Sequence, residues 1–151
     1  MKIDLKLLVP LARIFYSFIF IFAGIGHFTN PQMVAYAAAQ GVPMAPFLVP
    51  LAGLLALAGG VSVLLGYKAK WGAWLLVAFL VPVTLTMHRF WGLTDPQAAM
   101  MQMIMFEKNL AMLGGALLIT HFGSGPYSLE DFVGMMGQAI KVQDVEMRKA
   151  A

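Results

Sequence analysis

Four long apolar stretches dominate this chain, and each is about as long as a helix that crosses a bilayer. A hydrocarbon core about 30 Å thick takes roughly 20 apolar residues of helix. Phe47–Gly66 and Trp71–Met87 carry no charge, Leu7–Phe28 carries Arg13 and the terminal His27, and Met100–Phe122 is interrupted by Glu107 and Lys108. The remaining composition agrees: 151 residues, 60% hydrophobic and 11% charged, with a mean hydropathy of +0.79. This is far from the soluble average and too short for two domains. The pattern predicts an all-α integral membrane four-helix bundle, one transmembrane domain over residues 1–151. Its spans fall at about 10–28, 47–66, 71–90 and 100–122.

The net charge of +3 forms no basic stripe, which excludes nucleic acid as a partner and leaves the lipid bilayer. Instead the cations mark span ends. Lys2 and Lys6 precede span one, Lys68 and Lys70 fill the second loop, and Lys141, Arg148 and Lys149 follow span four, whereas the first loop, Thr29–Pro46, has no Lys or Arg. By the positive-inside rule both termini and the second loop are cytoplasmic, and the first and third loops face outward. The first span reads as a retained helix rather than a cleaved signal peptide, because Arg13, Ser17 and His27 share one of its faces. There is no cysteine, so disulfides, thiolate metal ligands and a thiol relay within this chain are excluded.

Local signals refine the picture. Pro10 suits a first helical turn, with Met1–Val9 at the membrane interface before it. Arg13, Ser17, Phe20, Gly24 and His27 recur every three or four residues and should face the bundle interior. Asn30, Pro31 and Gly41 delimit a short interfacial helix over Gln32–Gln40. Ala52, Ala56 and Gly60 form a small-residue seam for close helix packing, and Trp71, Trp74 and Trp91 are interfacial anchors. Hydropathy alone leaves span four short. A start near Pro96, capped by Thr94 or Asp95, lengthens it enough to cross with tilt. Ser128 followed by Asp131 resembles a capping box that opens a short amphipathic tail helix, with Phe132, Val133, Met136 and Ile140 on its apolar side.

Chemistry is sought where charge interrupts the apolar spans. His27, His88, Arg89, Glu107, Lys108 and Asn109 all fall near the outward boundary in this topology. The plain alternative is that Arg89 and Lys108 snorkel, Glu107 pairs locally and the histidines hydrogen-bond among headgroups. Two histidines on two helices are a weak signal for haem, and Met100–Met105 is a weak one for copper, since methionine also serves as apolar filler. Imidazoles that carry protons beside a quinone fit better, because histidine titrates near neutral pH. No metal site is predicted. Arg13 sits 14 residues from His27, about 20 Å along the helix, and either snorkels to the inner headgroups or finds an interior partner.

Several segments together resemble the DoxX family over nearly the whole length. They include Ala12-Arg13-Ile14, Ala23-Gly24-Ile25-Gly26-His27, Gly41-Val42-Pro43, Leu54-Leu55, Gly59-Gly60 and Leu65-Gly66. His88 with Phe90-Trp91, Lys108-Asn109-Leu110 with Gly114-Gly115 and Leu117-Leu118, and Gly125-Pro126-Tyr127-Ser128 complete the set. The chain departs from the family pattern at Ala56, where many relatives carry a Glu that would pair with Arg13. It departs also at His27, where many carry Lys. The resemblance implies a four-helix bundle of the bacterial inner membrane linked to quinone-dependent oxidation. Clustering and resemblance lead to a quinone-linked redox subunit or accessory with an outward-facing polar pocket. His27, His88 and Lys108 would act on the ring oxygens, and Arg13, Phe28, Trp91, Glu107 and Asn109 would contact the cofactor. A membrane or soluble redox protein would be the partner, and a homo-oligomer is compatible. A non-catalytic scaffold or assembly subunit is the alternative, and a small transporter or lipid-handling protein is a third reading.

Overall fold

The structure, a computed structural model, describes residues 4–150. After a 3-10 turn at Leu5–Leu7 the elements are α1 (Leu8–Thr29), α2 (Gln32–Ala39), α3 (Ala45–Leu65), α4 (Ala69–Met87), α5 (Pro96–Phe122) and α6 (Leu129–Ala150). Of these, α1, α3, α4 and α5 are long and apolar enough to cross a membrane. They run alternately up and down. One end of the bundle, the proximal end, holds the start of α1, the α3–α4 turn and the end of α5. The distal end holds α2 and the α4–α5 connection.

Small residues set the helix spacings. A Cβ on Gly24 would lie 2.9 Å from the Gly53 carbonyl oxygen and from Leu57, so α1 and α3 meet backbone to backbone. A Cβ on Gly59 would lie 2.7 Å from the Gly72 carbonyl oxygen, which brings α3 equally close to α4. Without a hydrophobic effect between helices in lipid, such contacts carry the association. Of the expected seam, Ala56 and Gly60 are buried and Ala52 is half-buried; Gly53 and Gly59 make the closest approaches. Around them pack Phe20, Val63, Leu76, Phe79, Leu80 and Ala116. The buried residues of α1 are Arg13, Ser17, Phe20 and Gly24, the inward face that the spacing predicts. Opposite, α1 and α5 stand further apart: Tyr16 Oη donates to the Met112 carbonyl at 2.6 Å, beside a cleft of about 350 Å³ lined by Ala12, Tyr16, Gly115 and Leu118.

Arg13 closes the proximal end. Its guanidinium donates to the carbonyls of Ser124 (3.1 Å), Pro126 (3.3 Å) and Tyr127 (2.5 Å) in the loop after α5. Position 56, where a carboxylate partner was expected, stands ten residues and so about 15 Å along α3 from Gly66, which abuts the guanidinium; the carbonyls give Arg13 an interior partner set rather than a path to the headgroups. Tyr127 holds a left-handed backbone (φ 53°) to aim its carbonyl inward, a conformation costing roughly 1–2 kcal/mol. Gly66 ends α3 in the same left-handed region (φ 61°), and any side chain there would collide with the guanidinium. The Gly66 carbonyl then accepts from Glu130 N–H at 3.1 Å, and Ser124 Oγ donates to Glu130 at 2.5 Å. The α5–α6 loop, the α3–α4 turn and the first turn of α6 thus meet around one cation.

Capping follows the sequence signals. Asn30 Oδ1 accepts from Gln32 N–H, Asp95 Oδ1 from Gln97 N–H, and Ser128 Oγ from Asp131 N–H. Span four therefore begins at Pro96, four residues ahead of the hydropathic stretch. The tail helix is not short: α6 runs 22 residues, with Phe132, Val133, Met136 and Ile140 exposed. Of the interfacial Met1–Val9 segment, Leu8 and Val9 already belong to α1, and Met1–Ile3, with Lys2, lie outside the described residues.

Gly59→Ala is expected to push α3 and α4 apart and to cost about 1–3 kcal/mol, read as a lower unfolding midpoint in detergent. Gly137→Ala on the exposed α6, where an added Cβ meets nothing within 4 Å, should leave that midpoint unchanged. Arg13→Met should lower stability by about 2 kcal/mol or more, since charge-assisted hydrogen bonds are lost. It should also speed chymotryptic cleavage at Tyr127. Arg13→Lys should not rescue it, because a compact ammonium cannot serve three carbonyls as a planar fork does.

Candidate functional site

The distal end holds a cavity of about 540 Å³ between α2, the start of α3 and the end of α4. Its wall is mainly apolar, with Val49, Leu55 and Val83 among the lining residues, and His27, His88 and Arg89 converge on it. Each is there for a local reason. His27 occupies the last turn of α1, where Gly53 of α3 leaves room: a Cβ on Gly53 would sit 2.5 Å from His27 Cβ. His88 is the first residue beyond α4, so its ring leaves the helix axis at the cavity mouth. Arg89 follows and donates to the Gln40 carbonyl at 3.2 Å, tying the α4 exit to the end of α2. Ala37, Ala45 and Val49 bury against Met33, Val34, Val42 and Met87, which fixes α2 across this end.

Hydrogen bonding sets the tautomers. His27 Nδ1 lies 2.6 Å from the Ala23 carbonyl, which can only accept, so Nδ1 carries a proton and, in the neutral ring, Nε2 is the acceptor. His88 Nδ1 lies 3.0 Å from Gln102 Oε1, and Gln102 Nε2 reaches Tyr36 Oη at 3.4 Å. With the amide in that orientation His88 too presents Nε2 as an acceptor. His27 also packs edge-on against Phe79, with ring centroids 5.9 Å apart. The result is two imidazoles at one apolar cavity, each held by its Nδ1.

The other expected site residues are placed elsewhere. Gln102, not Glu107, is level with His88, because α5 starts at Pro96 and continues past the histidines. At about 1.5 Å per residue, Glu107, Lys108 and Asn109 lie roughly 8–10 Å further toward the bundle middle. None of the three lines the cavity. Glu107 and Lys108 are exposed, Lys108 Nζ lies 3.4 Å from Met105 Sδ, and Asn109 is buried. Phe28 is exposed and also outside the cavity. Trp91 stacks edge-on with Phe90 and Phe106 instead. Arg13 is engaged at the proximal end, remote from both histidines. Met100 with Met103 and Met101 with Met105 pair at helical spacing on two different sides of α5, and none of the four lines the histidine cavity. Sequence reasoning did not assign Tyr36, Gln40 or Gln102. Their polarity was visible in the sequence, but their pairing with His88 and Arg89 depends on how α2 folds back.

Comparison with known proteins agrees with this architecture. A family model described as DoxX matches residues 8–89. The chain is 33% identical over 123 residues to inner membrane protein YqjF of Escherichia coli (strain K12), covering 81% of this chain and 88% of that protein. It is 29% identical over 129 residues to inner membrane protein YphA of the same organism, covering 82% and 88%. A more distant likeness, 27% over 78 residues, links 52% of the chain to 25% of the ER-derived vesicles protein ERV29 of Saccharomyces cerevisiae. No solved structure matches the chain. With a family model over more than half its length and a bundle of four membrane-length helices, this multi-pass membrane protein belongs to the DoxX family.

Proposed function

We propose that this protein is a quinone-linked redox accessory of the bacterial inner membrane, and that its histidine-lined cavity holds the head group in its reduced, quinol form. The observation that carries the reading is the pair of Nε2 acceptors, those of His27 and His88, at one largely apolar cavity. The volume and lining fit such a ring: small-molecule sites of about 300–1,000 Å³ are mostly apolar with a few converging polar groups. When bound, a quinol supplies two electrons and two protons, the electrons passing to a partner redox protein. The chain's part is to bind and to handle the protons. His27 and His88 accept hydrogen bonds, and then protons, at Nε2, while the Ala23 carbonyl and Gln102 hold Nδ1 of each ring in place. Arg89 provides positive charge at the rim. The apolar wall of α3 and α4 excludes water. Lys108 and Glu107, outside the cavity, have no part in this step.

Two E. coli relatives named as inner membrane proteins support the location. The lysines of the α3–α4 turn and the basic residues of α6 support a cytoplasmic proximal end, so that the cavity faces outward. A second reading, a scaffold that docks a soluble enzyme, draws on the exposed apolar side of α6 at that proximal end.

Titration of the purified protein with a short-chain ubiquinol analogue kept reduced under anaerobic conditions, followed by calorimetry, tests the first reading. Saturable binding is expected, weakened about 5–10-fold by His27→Ala and by His88→Ala, as suits one lost hydrogen bond each. Lys141→Ala should bind as the parent does. Gly53→Ala should weaken binding without touching the ligand, because the new methyl displaces His27. Absence of saturable binding, or binding indifferent to both histidines, would sink the proposal and favour the scaffold.

A further inference from the structure

Glu107 and Lys108 are left on α5 with no task inside the bundle. Asn109 and Ala116 are the buried residues of this helix, and its opposite face is open. Glu107 forms no ion pair or side-chain hydrogen bond among the described residues, and the one side-chain hydrogen bond of Lys108 among them goes to the Met105 sulfur. Both lie below the level of His88, within the span. An unpaired carboxylate facing hydrocarbon is costly, and such groups are found paired or turned to a protein neighbour.

Their surroundings are built for a neighbour. Ile104, Ala111 and Leu118 are exposed and seven residues apart, so they form one line along α5. At about 100° per residue, Glu107 lies on one side of that line and Lys108 on the other, each by roughly 40–60°. Ala111 is small, and a Cβ on Gly114 beside it would meet nothing within 4 Å. Nothing among the described residues therefore requires a glycine there, yet glycine in a helix interior costs about 1 kcal/mol relative to alanine. A smooth, small-residue strip in a membrane helix lets a second helix approach closely.

We propose that the protein is a two-fold homodimer through α5. Two copies inserted with the same topology can be related only by an axis along the membrane normal, which sets the two α5 helices parallel and in register. Such an interface is isologous. With Ile104, Ala111 and Leu118 on the axis side, Glu107 of each protomer meets Lys108 of the partner subunit, and the reverse. The charges that no group among the described residues neutralises are self-complementary in this arrangement, which is why a second copy is the occupant. The inference is independent of what the histidine cavity binds.

The absence of cysteine makes the test direct. Single cysteines at Ile104, Ala111 and Leu118, oxidised in native membranes, should give a covalent dimer on denaturing gels. Cysteines at Leu110 and Leu117, exposed on another side of α5, should give at least about 5-fold less. In the Ala111→Cys background, Glu107→Lys should reduce cross-linking about 5–10-fold, and Glu107→Lys with Lys108→Glu should restore it. Equal cross-linking at all five positions, cross-linking of Ala111→Cys to a different protein, or no restoration by the double exchange would overturn the proposal.

Discussion

The guanidinium of Arg13 is the interaction on which the proximal end depends. A cation about one and a half turns into a membrane helix must be neutralised or solvated by protein, and here three backbone carbonyls do so. Those carbonyls belong to the loop that ends α5, so the first span holds the last. Gly66 must be small to let the guanidinium pass, and its own carbonyl receives the first turn of α6. Loop conformation, helix termini and the emergence of α6 therefore follow from one buried charge and the need to satisfy it.

The middle of the bundle depends on a different constraint. Apolar side chains gain nothing from leaving lipid for a protein interior of equal polarity, so tight contact must supply the stability. Gly24 against Gly53 and Gly59 against Gly72 bring backbones together where any methyl would collide. The same closeness has a consequence at the distal end, where Gly53 leaves the space that His27 Cβ occupies. Packing and site geometry are thus coupled through α3. The α1–α5 side is looser, a cleft bridged by Tyr16, and the open face of α5 continues from it.

Much of the fold was legible in the sequence. Apolar runs of membrane length gave the number of spans, and the three-to-four spacing of Arg13, Ser17, Phe20 and Gly24 identified the buried face of α1. Asn30, Asp95, Gly41 and Ser128 carried the cap and stop signals where the structure uses them. The reading failed where it assumed that charge interrupting apolar sequence gathers in one place. Extending α5 to Pro96 moved Glu107 and Lys108 below the histidines, and their position on the helix turned them away from the cavity. Only His27, His88 and Arg89 of that group were brought together.

What the sequence determined by itself was the class of protein: the solvent it lives in, its helices and their limits, and which side of α1 turns inward. These follow from hydropathy, periodicity and capping, which act within a single helix. Tertiary structure decided which polar groups meet. Arg13 found carbonyls more than a hundred residues away, His88 found Gln102 and through it Tyr36, and Glu107 found no side-chain partner among the described residues. Such pairings depend on helix rotation and relative depth, quantities set by glycine contacts between different segments rather than by the pattern of any one of them.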